Sequence, residues 1–482
     1  MSDTRFPRVA SLKTAQAFRT HLETAGISLE FDDRVLPPES SPLAQPLTVG
    51  DVRVGNRFCI LPMEGWDGNA DGTPSDLTTR RWVNFGRSGA KLIWGGEAVA
   101  VCPEGRANPN QLVVNDRTAH ALAALRTALV SAHTDRFGAR ADEDLYIGLQ
   151  LTHSGRFARP NGKTTPEPLA AYAHPVLDRR FPAGVHVLTD DELDRLVDLF
   201  VNASKLALNA GFRFVDIKHC HGYLLHELLS ASSRSGAYGG SLDNRTRFLR
   251  QVIDRIRADV PGLEIVVRLS VFDTVPYCKG PLGKGEPEVD STGYSHAFGL
   301  LRNEQLGAAL RETMAVLTML QARGVRWICT TAGSPYYCPH VQRPAAFPPI
   351  DGYEPPEDPL RGVARQIDAT AVLKAEFPQL VFVGSAYSYL QEWLPNVAQY
   401  NVRNGLTDFV GLGRMTLSYP DLPADVLAGA PLKRKAICRT FSDCTTGPRM
   451  GMVSGCYPLD PFYKARPEAA PILKVRTEQN AT

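Results

Sequence analysis

The strongest constraint on the fold is a repeated alternation of short apolar runs with longer helical patterns, which begins at Val52. Runs of this kind followed by helices predict parallel strands joined by crossover helices. Eight of them predict an α/β fold of the TIM (β/α)8 barrel type. A doubly wound Rossmann sheet is the alternative, but no strand candidate is followed by G-x-G-x-x-G. The eight strand candidates span 57–63, 91–99, 144–153, 211–219, 264–271, 325–333, 380–386 and 409–414.

The best-marked helix follows the third strand candidate. Thr189 and Glu192 have the spacing of a capping box, in which each side chain bonds the backbone N–H of the other residue. Apolar residues follow at helical spacing from Leu193 to Phe200, and Gly211 stands where a glycine commonly ends a helix. We therefore expect a helix that begins after Thr189 and ends before Gly211.

The sequence divides into three parts around the predicted barrel. Residues 1–45 are expected to form an N-terminal arm with one amphipathic segment, from Ala15 to Ala25, followed by a stretch rich in Pro and Ser. Residues 46–430 are expected to form the barrel, and residues 431–482 a C-terminal tail that contains cysteines.

Two connections are too long for a bare barrel. They span 274–303 and 334–361, and both are rich in Pro, Gly and Tyr. Both follow the C-terminal ends of predicted strands, where barrel active sites lie, so they are candidates for lids or binding loops. A surface elaboration or a dimer contact is the equally open alternative.

Charge and cysteine content narrow the class of protein. Lys and Arg total 53 and Asp and Glu total 51, so a net charge of +2 gives no electrostatic reason to bind nucleic acid or an anionic membrane. The nine cysteines are odd in number and unevenly spread, which favours a cytoplasmic protein over a disulfide framework. Neither a signal peptide nor a membrane span is predicted. We expect a small-molecule substrate, and a homo-oligomer remains possible.

The chemistry of a barrel enzyme is expected where the strands end, at their C-terminal side. Several predicted strands carry polar or charged residues there, and together they form a polar, partly cationic centre. These residues are Glu64 after the first strand, Gln150 in the third, Lys218, His221 and Tyr223 after the fourth, and Arg268 in the fifth.

The last two predicted strands end in small residues instead. Gly384 and Ser385 end the seventh strand, and Gly413 and Arg414 end the eighth. Glycines let backbone N–H groups approach a phosphate, and the loops after strands seven and eight are the usual phosphate site of this fold. Arg414 could add a bidentate contact. The layout suits a phosphorylated planar cofactor that lies across the barrel mouth.

Six motifs in a fixed order resemble those of the Old Yellow Enzyme or NADH:flavin oxidoreductase family. The most diagnostic is HGYLLHELLSASSRSGAYGGSLDNRTRFLRQVIDRIR at 221–257; the others are NRFCILPM, GGEAVAVCPEGR, GLQLTHSGR, VVRLS and DFVGLGRMTLSYPDL. The resemblance extends over about 50–425. It implies a TIM barrel that binds FMN and passes hydride from NADH or NADPH through the flavin to an activated alkene.

The resemblance also implies residue roles. Arg268 matches the family's arginine at the N1 and O2 rim of the flavin, where a fixed cation stabilises the reduced form. Gln150 matches the glutamine at the pyrimidine edge, for which an amide offers both a donor and an acceptor. The other cofactor-binding matches are Pro62, Met63 and Ala98 along the flavin, with Gly384, Ser385, Gly413 and Arg414 at its phosphate.

For the substrate, His221 and Tyr223 match the family's pair after the fourth strand. His221 would bond the activating group of the alkene, and Tyr223 would donate a proton to the α-carbon. General acid catalysis of this kind contributes roughly 10²–10⁴-fold in rate.

Two positions depart from the family pattern. Lys218 replaces a common histidine, and Glu64 stands where the family has Thr, Cys or Ala. A carboxylate at Glu64 would disfavour the reduced, anionic flavin unless it were protonated or paired with Lys218. We therefore hypothesise a Glu64–Lys218 pair, in which the two groups must lie within about 6 Å to affect each other. Lys218 is expected to contact an acidic substrate or a developing enolate.

The tail is similar to the cluster-binding segment of the dienoyl-CoA reductase branch. Cys438, Cys444 and Cys456 reproduce only half of its spacing, whereas a 4Fe–4S cluster needs four thiolates. We expect a degenerate remnant whose tail is kept for packing, and no metal. A zinc pair of His219 and His221, which strand alternation would place on one face, is the weaker alternative.

The sequence thus predicts an FMN-dependent oxidoreductase of the ene-reductase type. A flavin-dependent amine dehydrogenase or demethylase on the same barrel, and a non-catalytic flavin-binding protein, are the alternatives. Residues expected in the core rather than in the site are Trp66, Trp94, Trp327, Cys59, Cys102, Cys220 and Cys329, while His153 and Arg156 are expected to be structural or to border the flavin edge.

Overall fold

In a computed structural model, which describes residues 6–481, eight parallel strands close into a barrel. Each strand lies where the sequence predicts one, and the predicted TIM-barrel fold is confirmed. The barrel strands are β1 (Phe58–Ile60), β2 in two pieces (Leu92–Ile93 and Ala98–Ala100), β3 (Tyr146–Thr152), β4 (Phe214–Ile217), β5 (Glu264–Ser270), β6 (Trp327–Thr331), β7 (Val381–Gly384) and β8 (Phe409–Leu412).

The barrel closes because its last strand returns to its first. Gly411 of β8 is in register with Cys59 of β1, and Leu92 of β2 is in register with Tyr146 of β3. All of these pairings are parallel, so the C-terminal ends of the eight strands meet at one rim.

The second strand is not continuous over 91–99 as predicted. Gly95 and Gly96 interrupt it with φ angles of +115° and +51°. A Cβ on Gly95 would lie 2.6 Å from the backbone nitrogen of Gln150, so only glycine allows this close approach. After the break, Ala98 pairs with Gln150 and continues along β3.

Helices surround the barrel and follow each strand. The predicted capping box is present, since the Thr189 hydroxyl accepts from the Glu192 N–H and the Glu192 carboxylate accepts from the Thr189 N–H. The main helices are α1 (Asp76–Arg87), α2 (Ala119–Phe137), α3 (Asp190–Asn209), α4 (Arg247–Asp259), α5 (Arg311–Ala322), α6 (Pro359–Glu376), α7 (Leu394–Arg403) and α8 (Leu422–Leu427). Short helices span Leu224–Leu229, Leu242–Arg245, Leu306–Ala309, Pro339–Gln342 and Met415–Ser418.

Side chains fill the barrel interior, so it is a core and not a pore. Trp94, Trp327 and Phe214 are fully buried there, and the rings of Trp327 and Phe409 lie 5.8 Å apart. Burial of each large apolar side chain contributes roughly 1.5–3 kcal/mol. The core positions predicted for Trp94 and Trp327 are confirmed, as is the burial of Cys59, Cys102, Cys220 and Cys329.

The N-terminal segment packs on the outside of the barrel. Its helix, Ala15–Thr24, coincides with the predicted amphipathic segment. Phe18 of that helix stacks on Trp393 with ring centroids 4.9 Å apart, and Phe31 meets both rings edge-on. An antiparallel hairpin of Leu47–Val49 and Val52–Val54 then leads into the barrel.

The long connections and the tail are ordered elements. The connection after β5 contains a hairpin of Tyr277–Lys279 and Gly285–Pro287, and the tail contains helices Asp443–Arg449, Pro461–Lys464 and Ala469–Ala481. A smaller pair, Leu169–Ala170 with His186–Val187, lies after β3. The three-part division of the chain stays a prediction. No helix in the described range is long and apolar enough to cross a membrane.

Candidate active site

A cavity of about 240 Å³ opens at the rim where the barrel strands end. Two predicted site residues, Ala98 and Gly384, are not among its lining residues, since Ala98 is buried in β2 and Gly384 faces the ring of Tyr387. The predicted residues that do line the cavity are Pro62, Met63, Glu64, Gln150, Lys218, His221, Tyr223, Arg268, Ser385, Gly413 and Arg414.

Glu64 and Lys218 form an ion pair at the centre of the cavity. Lys218 Nζ lies 2.5 Å from Glu64 Oε1, so the hypothesised pair is present. Lys218 is almost fully buried and directly follows β4, whereas Glu64 keeps 14% of its side chain exposed. Trp66 also donates its indole N–H to Glu64, at 3.2 Å. Trp66, which the sequence predicts in the core, is partly buried against the core and also lines the cavity.

The phenol of Tyr223 belongs to the same network. It donates to Glu64 Oε2 at 2.5 Å and lies 2.9 Å from the hydroxyl of Tyr336. Burial, followed by the Glu64 charge, raises the pKa of Tyr223 well above its usual value, so the phenol stays protonated. The Lys218 ammonium lies 3.9 Å from the Tyr223 ring centroid, which places a cation against it.

Tyr336 was not predicted from the sequence. It comes from the long connection after β6 and stacks on Phe157, with ring centroids 4.0 Å apart. The sequence predicts that this connection is a candidate binding loop, but it does not indicate which of its residues enters the cavity.

His221 lies in a tight turn after β4, with a φ of +68°. Burial, then the charges of Arg268 and Lys218, hold the pKa of His221 well below its usual value, so the imidazole is neutral. Its Nε2 lies 3.2 Å from Gln342 Nε2 and 3.3 Å from Thr331 Oγ1.

The other histidines near β4 and β3 have structural positions. His219 is buried, with Nδ1 bonded to the Ile217 carbonyl, and it does not line the cavity with His221. The expectation that both share one face is wrong because the chain turns at His221. His153 accepts from the Gly155 N–H, and Arg156 is buried against Glu227 at 2.5 Å. In the part of the chain that the structure describes, no group of three or more His, Cys, Asp or Glu residues is placed to hold a metal ion.

A buried carboxylate that sequence reasoning missed, Asp216 of β4, positions the flavin-binding candidates. It accepts from Gln150 Nε2 at 2.5 Å, from the Trp94 indole at 2.8 Å and from the Arg268 backbone N–H at 2.6 Å. Burial raises the pKa of Asp216 to about 6, although these hydrogen bonds act in the opposite direction and lower it. The sequence feature that indicates this residue is a single acidic side chain within an otherwise apolar predicted strand.

Three arginines of the cavity have no carboxylate partner. No salt bridge reaches Arg268, Arg343 or Arg414 from any side chain that the structure describes. Each has one buried guanidinium nitrogen without a hydrogen-bond partner, namely Nε of Arg268, Nε of Arg343 and Nη1 of Arg414. Buried unpaired cations of this kind need an anion.

Comparisons with known proteins identify the family. The family model described as NADH:flavin oxidoreductase / NADH oxidase family matches residues 42–281. An NADPH dehydrogenase of Geobacillus sp. (strain WCH70) is 31% identical over 269 residues, which cover 52% of this chain and 72% of that protein. The NADPH dehydrogenase of Bacillus subtilis (strain 168) is 30% identical over 237 residues, 48% of this chain and 64% of that protein. The chain belongs to the NADH:flavin oxidoreductase family.

Solved structures share the fold at lower identity. An old yellow enzyme homologue from Zymomonas mobilis has a TM-score of 0.54 and 21% identity, covering 81% of this chain and 94% of that one. A 2-naphthoyl-CoA reductase complex has a TM-score of 0.64 and 18% identity, covering 89% of this chain and 58% of that one. A histamine dehydrogenase from Rhizobium sp. 4-9 has a TM-score of 0.60 and 20% identity, covering 88% of this chain and 52% of that one.

Membership of the NADH:flavin oxidoreductase family makes the chain an FMN-dependent oxidoreductase with NADH or NADPH as co-substrate. The cavity fits FMN. Its unpaired arginines supply the cations that a phosphate monoester and an anionic flavin rim require. Gly413 leaves open space, since a Cβ there would meet nothing within 4 Å.

The C-terminal tail is a wall of this flavoprotein's cavity. Its residues Cys444, Thr445, Pro448, Arg449 and Ser454 line it, so the tail does more than the predicted packing. Arg449 lies 5.2 Å from the ring centroid of Tyr336 and pairs with Asp351 at 3.1 Å. Of the predicted cluster remnant, Cys438, Cys444 and Cys456 surround a separate small cavity beside Arg414.

Proposed function

We propose that the protein is an ene-reductase, in which bound FMN carries hydride from NADH or NADPH to the β-carbon of an activated C=C bond. The observation that supports this most is that Tyr223, His221 and Lys218 line one cavity together with the unpaired Arg268. In this reaction the C=C π bond breaks, two C–H bonds form, and the nicotinamide is oxidised.

Arg268 and Gln150 hold the cofactor end of the site. Arg268 presents an unpaired guanidinium where negative charge develops on reduction, which is the usual form of electrostatic stabilisation. Asp216 accepts from the Gln150 amide N–H and from the Arg268 backbone N–H, so it preorganises the Gln150 side chain and the strand position that carries Arg268.

Tyr223 is the proton donor in this proposal. Its raised pKa keeps the proton on the phenol until the α-carbon becomes basic. Loss of that proton leaves a phenolate beside Lys218, whose ammonium lies against the ring. Glu64 bonds both groups, so a proton can return from Lys218 Nζ through Glu64 to the phenolate oxygen. Solvent then reprotonates Lys218.

His221 orients the activating group of the substrate. A neutral imidazole has one N–H to donate, and Gln342 and Thr331 hold Nε2 in place at the cavity wall. Lys218 adds positive charge near the same position, which favours a substrate whose activating oxygen becomes anionic.

The proposal is tested by separating the two half-reactions in a Tyr223→Phe variant. Reduction of the bound flavin by NADPH should keep its wild-type rate, because Tyr223 transfers no proton in that step. Reoxidation by an enone should slow by roughly 10²–10⁴-fold. Stopped-flow absorbance of the flavin band measures both rates. Undiminished reoxidation in the variant would refute Tyr223 as the acid.

Amine oxidation is the second candidate function. The histamine dehydrogenase similarity and the carboxylate of Glu64 favour it, since a carboxylate attracts a protonated amine. The Lys218 partner weakens that attraction, because it neutralises Glu64. Anaerobic addition of histamine or a simple secondary amine distinguishes the two: bleaching of the flavin by the amine, with no bleaching by NADPH, would favour amine oxidation.

A further inference from the structure

Arg343 is a partly buried cation that neither the family match nor the ene-reductase chemistry accounts for. It follows the short helix Pro339–Gln342 in the connection after β6, outside the matched residues 42–281. No acid that the structure describes forms a salt bridge with it, and its Nε has no hydrogen-bond partner.

Arg343 lies beside the arginine expected at the cofactor phosphate. The carbonyl of Pro344, the next residue, accepts from Arg414 Nη2 at 2.6 Å. Burial, followed by repulsion from Arg414, lowers the pKa of Arg343 to about 10. Two neighbouring guanidiniums, each with one buried and unpartnered nitrogen, are unfavourable unless an anion lies between them.

Each of the other cations of the cavity either pairs with an acid or already has a proposed role at the flavin. Lys218 pairs with Glu64, and Arg449 pairs with Asp351. Arg268 lies at the β5 rim, at the strand end that presents it to the flavin. The anion that Arg343 and Arg414 share is therefore expected at the β7 and β8 end of the cavity.

A phosphate monoester has the right chemistry for this pair. It carries about −1.5 to −2 charges at pH 7 and three acceptor oxygens, so one guanidinium neutralises only part of it. A second guanidinium completes the charge balance and uses the free Nε.

We propose that Arg343 is a second arginine ligand of the FMN phosphate, and that Thr445 of the C-terminal tail is its positioning residue. Thr445 Oγ1 accepts from Arg343 Nη1 at 2.5 Å, which leaves Nε and Nη2 for the phosphate. The tail thereby contributes to cofactor retention. This inference needs FMN binding only and is independent of the ene-reductase proposal.

The test compares FMN with riboflavin, which lacks the phosphate. Protein stripped of flavin is titrated with each, and quenching of flavin fluorescence gives the Kd values. In Arg343→Gln the Kd for FMN should rise roughly tenfold to a hundredfold, because a charge-assisted hydrogen bond to the phosphate is lost. The Kd for riboflavin should stay unchanged, because riboflavin has no phosphate to form that bond. Arg414→Gln should behave in the same way.

Arg439→Gln is the matched control. Arg439 is a tail arginine that pairs with Glu392 at 2.7 Å and does not line the cavity. Its FMN and riboflavin Kd values should both stay at wild type. Retained riboflavin binding in Arg343→Gln also shows that this variant is folded.

Two further variants keep the test decisive. Thr445→Val should weaken FMN in the same direction but by roughly threefold to tenfold, and Thr445→Ser should restore it, since it keeps the hydroxyl. Arg343→Lys, which keeps the charge, should lie between wild type and Arg343→Gln. An unchanged FMN Kd in Arg343→Gln and Arg343→Lys, or an equal loss of FMN and riboflavin, would overturn the proposal.

Discussion

The cavity has two halves that differ in how their charges are satisfied. In the strand half, carried by the ends of β1 to β5, Glu64 neutralises Lys218, and Arg268 forms no salt bridge with any described acid. In the loop-and-tail half, carried by 334–361 and 431–482, Arg343 has no acid partner. The strand half thus combines a neutralised ion pair with one unpaired cation, whereas Arg343 in the loop-and-tail half needs an anionic ligand.

The difference indicates which half carries the candidate reacting groups and which half carries the candidate binding residues. The strand half holds the phenol, imidazole and ammonium within six residues of the end of β4, which suits the precise positioning that the proposed proton transfer needs. The loop-and-tail half supplies Tyr336, Gln342 and Arg343 from long connections, which are the usual location of binding residues.

The largest expected effect is in the strand half. Asp216→Ala should lower the free energy of unfolding by about 3–5 kcal/mol, since it leaves the donors on Gln150, Trp94 and Arg268 without their buried acceptor. Urea denaturation followed by circular dichroism measures this. Asp216→Asn keeps the shape and should lose less. A loss below about 1 kcal/mol in the alanine variant would show that the strand half does not depend on this carboxylate.

An intermediate effect is expected at the ion pair. Glu64→Gln leaves Lys218 without its counter-charge and should destabilise the protein by up to about 3 kcal/mol. It also removes one cause of the raised pKa of Tyr223. A general acid is active only while protonated, so the rate of flavin reoxidation should begin to fall at lower pH than in wild type. Because burial alone keeps the pKa of Tyr223 high, reoxidation rates are followed from pH 9 to the highest pH at which both proteins stay folded. Profiles that superimpose over that range would show that Glu64 does not affect the acid.

The smallest effect should come from the loop-and-tail half. Tyr336→Phe removes one hydrogen bond to the Tyr223 phenol, worth about 1 kcal/mol, and should slow reoxidation roughly fivefold. Flavin reduction by NADPH serves as the internal control and should not change. A loss as large as that of Tyr223→Phe would mean that Tyr336 belongs with the strand half in the chemistry.

Sequence reasoning located the strand half because topology fixes it. Once eight strands are predicted, residues at their C-terminal ends must meet at one rim, and Glu64, Lys218 and Tyr223 do. The departure of Glu64 and Lys218 from the family pattern even indicated their pairing. Asp216 is not predicted as a site residue, because the apolar run around it indicates only a strand.

The loop-and-tail half could not be predicted in the same way. Arg343 and Thr445 are 102 residues apart, and no local pattern predicts that one bonds the other. Trp66 was assigned to the core by residue type, but a φ of +48° turns its backbone at the cavity rim. The glycines that split β2 are likewise explained only by the approach of the Gln150 backbone.

The central claim is that this cavity holds a flavin that reacts with a nicotinamide and then with an activated alkene. An anaerobic titration of the FMN-loaded protein with NADPH tests it directly through the flavin absorbance. We predict stoichiometric bleaching, followed by recovery of the yellow colour when an enone such as cyclohex-2-enone is added. A flavin that stays yellow under excess NADPH and excess NADH would contradict the account.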